Sequence, residues 1–247
     1  MSEFIGMPAP RRRAPAAADL QARVAELRSG RKPYVLATVV RAQRPTSAKA
    51  GDRALVLSDG TIEGFVGGVC ATDTVRAQSM RLLRTGRATL LRITPAADEP
   101  HEEEGLVAVG QPCLSGGTLE IFLEAVLPPV LVHVHGDSPI ARAFAAVGKA
   151  MGYQVEAGTD PLAPIAGDTA AVLVASHGVS EEPVLREALA KGVPYIGLIA
   201  SRKRGAAVLA RVEGGERVHV PAGLDIGART PGEVAVSVYA ELASLRG

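Results

Sequence analysis

The residues best suited to chemistry sit at turns that follow apolar runs. Residues 132–144 read VHVHGDSPIARAF: an apolar strand, then Gly136, a turn, and a helix-like stretch. In a dinucleotide-binding turn the first glycine makes the bend, the second clears the backbone for a pyrophosphate, and the third lets helix and strand pack closely. Gly136 suits the first role and Ala141 the third, but Ser138 stands at the second. Its hydroxyl could donate to a phosphate at a helix N-terminus, which favours anions. Glu156, twenty residues past Gly136, is placed by this reading at the end of the next strand, where a ribose-binding carboxylate belongs. A nicotinamide cofactor and another phosphorylated ligand are both open on these residues.

Two further segments follow strands in the same half. His177-Gly178 ends an apolar run, and ligands of open α/β sheets bind beyond the carboxyl ends of strands. The run Ala200-Ser201-Arg202-Lys203-Arg204 puts three cations and a hydroxyl at a helix start, a combination that can hold a phosphate or simply face solvent. His133 and His135 share one side of a strand. They could pair on a metal, or one could pack beneath a helix with the other at the crevice rim. In the first half, Cys70 follows Gly67-Gly68, and Cys113 precedes Gly116-Gly117. Glycine lets a ligand approach the backbone, and a thiolate is a soft metal ligand. The alternative for each cysteine is a small buried hydrophobe.

The elements that would position these residues change character along the chain. Residues 16–29 have helical spacing, 34–40 form a β-branched strand, and 54–57 with 62–66 read as a hairpin around Asp59-Gly60. A helix is expected over 71–83 and strands over 89–93 and 119–126, with an exposed polar loop over 94–105 carrying Glu102-Glu103-Glu104. Leu127-Pro128-Pro129 breaks the pattern and marks a boundary. Beyond it, strands at 130–135, 153–157, 170–175 and 195–199 alternate with helices at 140–151, 182–191 and 202–211. A short strand at 217–220 and a closing helix from Pro231, capped by Thr230, complete the pattern. The reading is α/β: a flexible tail over 1–14, a smaller α+β domain over 15–128, and a Rossmann-like parallel sheet over 129–247.

Composition narrows the function. Apolar residues make up 47% of the 247, with only 3% aromatic, so the core is built from Ala, Val, Leu and Ile. A net charge of +1 supplies no field for nucleic acid. No apolar run approaches the ~18 residues of a membrane span. Two cysteines make no disulfide framework, which points to a reducing cytoplasm. There is no Walker loop, CxxC or HExxH, and no Ser/His/Asp spacing that would mark a hydrolase.

Several segments together resemble the XdhC/CoxI family of accessory proteins for xanthine dehydrogenase and aerobic carbon monoxide dehydrogenase. YIGLIASRKR at 195–204 and VLVASHG at 172–178 are similar to two of its stretches, and GLDIGARTPGEVAVSVYAEL at 223–242, which carries Asp225, is the most specific. In the first half, VVRAQRPTSAKAGDRALVLSDGTIEGFVGGVCATD at 39–73 and CLSGGTLEIFLE at 113–124 resemble the family more loosely: its SPRxxGA appears without the arginine, and its CGG is split by Leu114-Ser115. The resemblance implies a cytoplasmic maturation factor without turnover of its own. Such a factor binds molybdenum cofactor (molybdopterin or its cytosine dinucleotide form), protects it during exchange of an oxo group for sulfur, and passes it to an apo molybdenum hydroxylase. It also implies a cysteine desulfurase as a second partner and a homodimer. The cofactor would be held among Gly136, Ser138, Glu156, His177, Ser201, Arg202, Arg204 and Asp225, with its phosphate or dinucleotide at Ser138 and the Arg202–Arg204 run. The glycine loops at Gly67-Gly68 and Gly116-Gly117 would face it, with Cys70 or Cys113 near the metal and Cys113 a possible molybdenum ligand. The rival reading is an NAD(P)-dependent oxidoreductase that uses the Gly136 turn and Glu156.

Overall fold

A computed structural model describes residues 17–96, 101–111 and 116–246. Chain contacts divide it into two compact units, with the division between Pro128 and Pro129. The proposed tail over 1–14 and Cys113 lie outside the described residues.

Unit 1 begins with α1 (Ala17–Ser29) and is built on a seven-stranded sheet. Its strands are β1 (Tyr34–Gln43), β2 (Arg53–Leu57), β3 (Ile62–Gly64), β4 (Ala88–Thr94), β5 (His101–Glu103), β6 (Leu106–Gly110) and β7 (Thr118–Val126), with α2 (Val69–Thr85) between β3 and β4. The spatial order is β3-β2-β1-β7-β4-β6-β5. The pairings are antiparallel except β4 with β6. Side chains alternate across a strand, so β1 feeds two cores. Val35, Ala37 and Val39 pack with Ala71 and Val75 of α2, while Tyr34 packs with Leu20 and Leu27 of α1 on the opposite face. The polar stretch expected as a loop over 94–105 contains β5. There, Glu102 and Glu103 pair with Val107 and Leu106 of β6, a strand the sequence pattern did not reveal. Their side chains stay exposed, and Glu102 meets Arg81 at 3.3 Å.

Unit 2 is a four-stranded parallel sheet of order β11-β10-β8-β9. Its elements are β8 (Leu131–His135), α3 (Pro139–Ala150), β9 (Gln154–Gly158), β10 (Thr169–Val174), α4 (Glu181–Ala190), β11 (Tyr195–Leu198), α5 (Arg202–Leu209) and α6 (Pro231–Ser244). Both faces are covered, as a parallel sheet requires. Val132, Val134, Ala171 and Leu173 pack against Phe144 of α3 and Val238 and Tyr239 of α6. Val172, Val174, Ile196 and Leu198 pack against Val184, Leu185 and Ala188 of α4. Full burial of each large aliphatic or aromatic side chain contributes roughly 1.5–3 kcal/mol. The strand expected over 217–220 is reduced to one bridge, His219 with Gly197, after a short 3-10 turn at Gly215–Arg217. Thr230 caps α6 as read from the sequence and forms a full capping box with Glu233. No helix among the described residues is long and apolar enough to cross a membrane.

Candidate functional site

The parallel register aligns Val174 with Leu198, so β10 and β11 end side by side. The chain beyond each turns across the same edge. After β10 comes the loop 175–180, and after β11 come Ile199, Ala200 and Ser201, the N-cap of α5. A third segment joins them, because His219 bonds alongside β11 through its backbone N–H to Ile196 O (2.8 Å) and its carbonyl to Leu198 N–H (3.0 Å). Residues 221–228 then run past the strand end toward α6. These segments enclose a cavity of about 590 Å³, within the usual size of a small-molecule site. His177, Ser201, Arg202, Arg204 and Asp225 line it together, five of the side chains singled out from sequence, beside an apolar lip that includes Leu224 and Ile226.

Two carboxylates, one buried and one half-buried, hold the walls. Glu181, 2% exposed, accepts from Gly178 N–H at 2.9 Å and from Arg204 Nη1 at 2.7 Å. Arg204 also donates to Ile199 O at 2.8 Å. It therefore ties the β10 loop to the β11 loop and is committed to structure. In that loop His177 and Ser180 are both non-glycine residues in the left-handed region, with φ of 54° and 53°. Such backbone persists only where its surroundings fix it, and Glu181 with the Ser176 hydroxyl, bonded to Val179 O at 2.7 Å, does so. Arg202, in contrast, is exposed and has no acidic partner among the described residues. It is the cation the cavity can offer a ligand.

The second carboxylate is Glu241 on α6. Tyr195 donates to its Oε2 at 2.5 Å, Gly223 N–H donates to the same oxygen at 2.7 Å, and His219 Nδ1 lies 2.9 Å from Oε1. Desolvation alone would raise this carboxyl, but the hydrogen bonds from Tyr195, Gly223 and His219 outweigh it and hold it below the usual 4.5. Burial, then the bond to Glu241, pushes the Tyr195 phenol far above its ordinary range, which keeps it a donor. Gly223, with φ +102°, approaches α6 so closely that a Cβ would fall 2.4 Å from Ser237 Oγ. A carboxylate depressed in the folded state adds stability above its unfolded pKa and loses it as pH falls through the folded value. The stability advantage of the natural protein over Glu241→Gln, read as the difference in thermal unfolding midpoints, is thus expected to be full above about pH 4.5 and to shrink below it. Glu241, Glu181 and Tyr195 were not singled out from sequence. A lone acidic residue inside the apolar run VAVSVYAEL was the available signal for Glu241.

At the Gly136 turn, read as open to a nicotinamide cofactor or another phosphorylated ligand, the glycine serves the packing of the chain itself. Gly136 is buried with φ +128°, and a Cβ there would fall 2.5 Å from Ala175 O. The glycine is needed for β8 to close on β10, where Ala175 N–H bonds His135 O at 2.8 Å. Gly136→Ala is expected to cost about 2–3 kcal/mol through strain and overpacking, checked by the shift in a urea unfolding midpoint. Ser138 is buried, and its hydroxyl accepts from Ala141 N–H at 3.1 Å as the cap of α3. Glu156 lies in the middle of β9 opposite His133, while Gly158 ends the strand, so Glu156 does not stand at the strand's carboxyl end. None of these three lines the cavity. His133 and His135 are both buried, at 6% and 1% exposure, so neither sits at a rim. Burial holds His133 below its ordinary range, and His135 Nε2 lies 3.3 Å from Val179 O. Among the described residues no group of three or more His, Cys, Asp or Glu is placed to hold a metal.

The glycine segments of unit 1 converge at one end of its sheet. Gln43 pairs with Thr118 there, Gly117 packs against Pro45, and the buried Gly67 lies over Leu119. Gly68 caps α2, Cys70 follows in the first turn, half-buried, and Gly116 is exposed. Thr74 Oγ1 of α2 bonds Gln111 Oε1 at 2.5 Å beside them.

Comparison with known proteins is decisive for the family. The model of the XdhC Rossmann domain matches residues 132–242, and that of the XdhC and CoxI family matches residues 27–94. The chain belongs to the XdhC and CoxI family. The matched segments carry the cavity and the Gly67-Gly68-Cys70 turn, while Gly116 and Gly117 fall outside them. The chain is 28% identical to the Escherichia coli K12 protein YqeB, itself described as uncharacterized, over 90% of this chain and 45% of that one. It thus spans less than half the length of that relative. A crystal structure described as a xanthine dehydrogenase from Bacillus halodurans aligns with a TM-score of 0.44 and 17% identity, covering 90% of this chain and 94% of that one.

Proposed function

We propose that the cavity at the carboxyl ends of β10 and β11 holds the phosphate-bearing end of a molybdenum cofactor. In this reading the chain keeps the cofactor during sulfuration and delivers it to an apo molybdenum hydroxylase of the xanthine dehydrogenase or carbon monoxide dehydrogenase type. The observation that carries this is the division of labour in the Ser201–Arg204 run: Arg204 is bound to Glu181, whereas Arg202 lines the cavity without an acidic partner among the described residues. A guanidinium matches phosphate geometry through paired donors, and the Ser201 hydroxyl and His177 line the same cavity. The donor set and the volume fit a phosphorylated heterocycle. When bound, the cofactor would supply the molybdenum centre at which oxo is exchanged for sulfur. The protein's part is to anchor the phosphate, to orient the ring system along the apolar lip and to shield it from water.

The sulfur donor in this scheme is a cysteine desulfurase. Reconstitution of a cofactor-free hydroxylase with released cofactor, desulfurase and cysteine tests the role. Adding this chain is expected to raise the recovered activity severalfold and the cyanolysable sulfur content in parallel. Recovery that is the same without the chain would remove the maturation role.

A further inference from the structure

The cavity holds a contradiction if its ligand is only an anion. Asp225 lines it, beside Arg202 and Ser201. A carboxylate in the same space as a bound phosphate repels it. The usual resolution is an ion pair with a neighbouring cation, yet no cation pairs with Asp225 among the described residues. Its recorded hydrogen bond is a long one, 3.4 Å from Gly227 N–H to Oδ1, at the weak end of the range. Leu224 and Ile226, on either side in sequence, are large apolar residues left 45% and 52% exposed, and both line the cavity. The segment is anchored, because Gly223 N–H is bonded to Glu241 and Leu224 N–H to Ser237 O at 3.2 Å. One wall is thus cationic and hydroxylic, and the other is a fixed apolar surface interrupted by one carboxylate.

Building on the phosphate-site reading above, we infer that Asp225 reads the donor edge of a flat heterocycle, with Leu224 and Ile226 as the surface on which the ring lies. The edge that fits a carboxylate offers two parallel N–H donors: a ring N–H next to an exocyclic amino group. Pterins and guanine carry that 2-amino-4-oxo edge. Adenine and hypoxanthine lack it, and cytosine offers only one of the two donors. The ligand class is therefore a 2-amino-4-oxo heterocycle bearing phosphate, and Asp225 is its specificity determinant.

Guanosine diphosphate and inosine diphosphate differ only in the exocyclic amino group, so calorimetric titration of the full chain with each, and with inorganic pyrophosphate, isolates the edge from the phosphate. Guanosine diphosphate is expected to bind about tenfold more tightly than inosine diphosphate, the usual effect of one hydrogen bond to a charged group. In Asp225→Asn the preference disappears, while pyrophosphate affinity is unchanged or rises, since a like charge has gone. Asp225 is exposed, so its thermal midpoint should not move. Equal binding of the two nucleotides, or a preference that survives in Asp225→Asn, overturns the inference and leaves the phosphate reading intact. A guanosine preference without pyrophosphate binding sustains the inference and removes the phosphate reading. Failure of every probe to bind removes both.

Discussion

Arg204→Ala is expected to destabilise the Rossmann unit by about 3–5 kcal/mol, the usual cost of leaving a buried charge unpaired. Its partner Glu181 is 2% exposed and has both oxygens engaged, one by Arg204 and one by Gly178 N–H. Without the guanidinium the carboxylate stays buried with Gly178 N–H as its remaining recorded contact. The same arginine clamps Ile199 O, so the β11 loop loosens too. Urea unfolding followed by far-ultraviolet circular dichroism measures the loss. Adding Glu181→Gln to Arg204→Ala should recover part of it, because the charge that had to be buried is gone. An additive double mutant would mean that the two residues do not act as a pair.

The second large effect falls on ligand binding rather than stability. Arg202→Ala should leave the unfolding free energy within about 0.5 kcal/mol of the natural protein, as expected for an exposed residue away from packing. It should weaken binding of a phosphate-bearing ligand roughly 10- to 100-fold, the range for loss of a charge-assisted contact of about 1.5–3 kcal/mol. The effect should diminish as salt is raised, since an exposed cation is screened. Calorimetry with pyrophosphate at two ionic strengths checks both points. The two arginines, two positions apart in one short run, are thus predicted to fail in opposite ways.

That contrast also shows where the sequence stopped being informative. The alternation of apolar runs and glycine stops made unit 2 readable almost strand by strand, because a sheet buried on both faces leaves continuous apolar segments such as Thr169–Val174. The run Ser201 to Arg204 could be read as an anion site, but nothing local separates Arg202 from Arg204. The difference is made by Glu181, which reaches Arg204 from another helix. The Gly136 turn stayed open in sequence for a related reason. A glycine that clears the way for pyrophosphate and one that clears the way for Ala175 O look alike in sequence. Glu156 fell at the expected spacing, yet β9 runs on to Gly158, which leaves the carboxylate mid-strand. In unit 1, β6 went unseen because Leu106–Gly110 directly follows an acidic run that reads as solvent-exposed loop, and its pairing with β4 is non-local.

The apolar lip of the cavity had a different kind of legibility. The segment GLDIGARTPGE stood out by resemblance, but its physical role lies in contacts far along the chain: Gly223 to Glu241 and Leu224 to Ser237. His219, which lies beside β11 and touches Glu241, brings that segment to the strand ends where the cations are. A cavity assembled from three loops that are separate in sequence is visible only once the sheet aligns them.

The central claim is that this cavity retains a phosphate-bearing pterin through Arg202. The most direct measurement is mass spectrometry of the small molecules released on denaturing the full chain, purified from a host that makes molybdenum cofactor, in parallel with Arg202→Ala. The account predicts a pterin-derived species with its phosphate in the natural protein and its near-complete loss in the variant. Absence of any pterin from the natural protein, or equal retention by the variant, would contradict it.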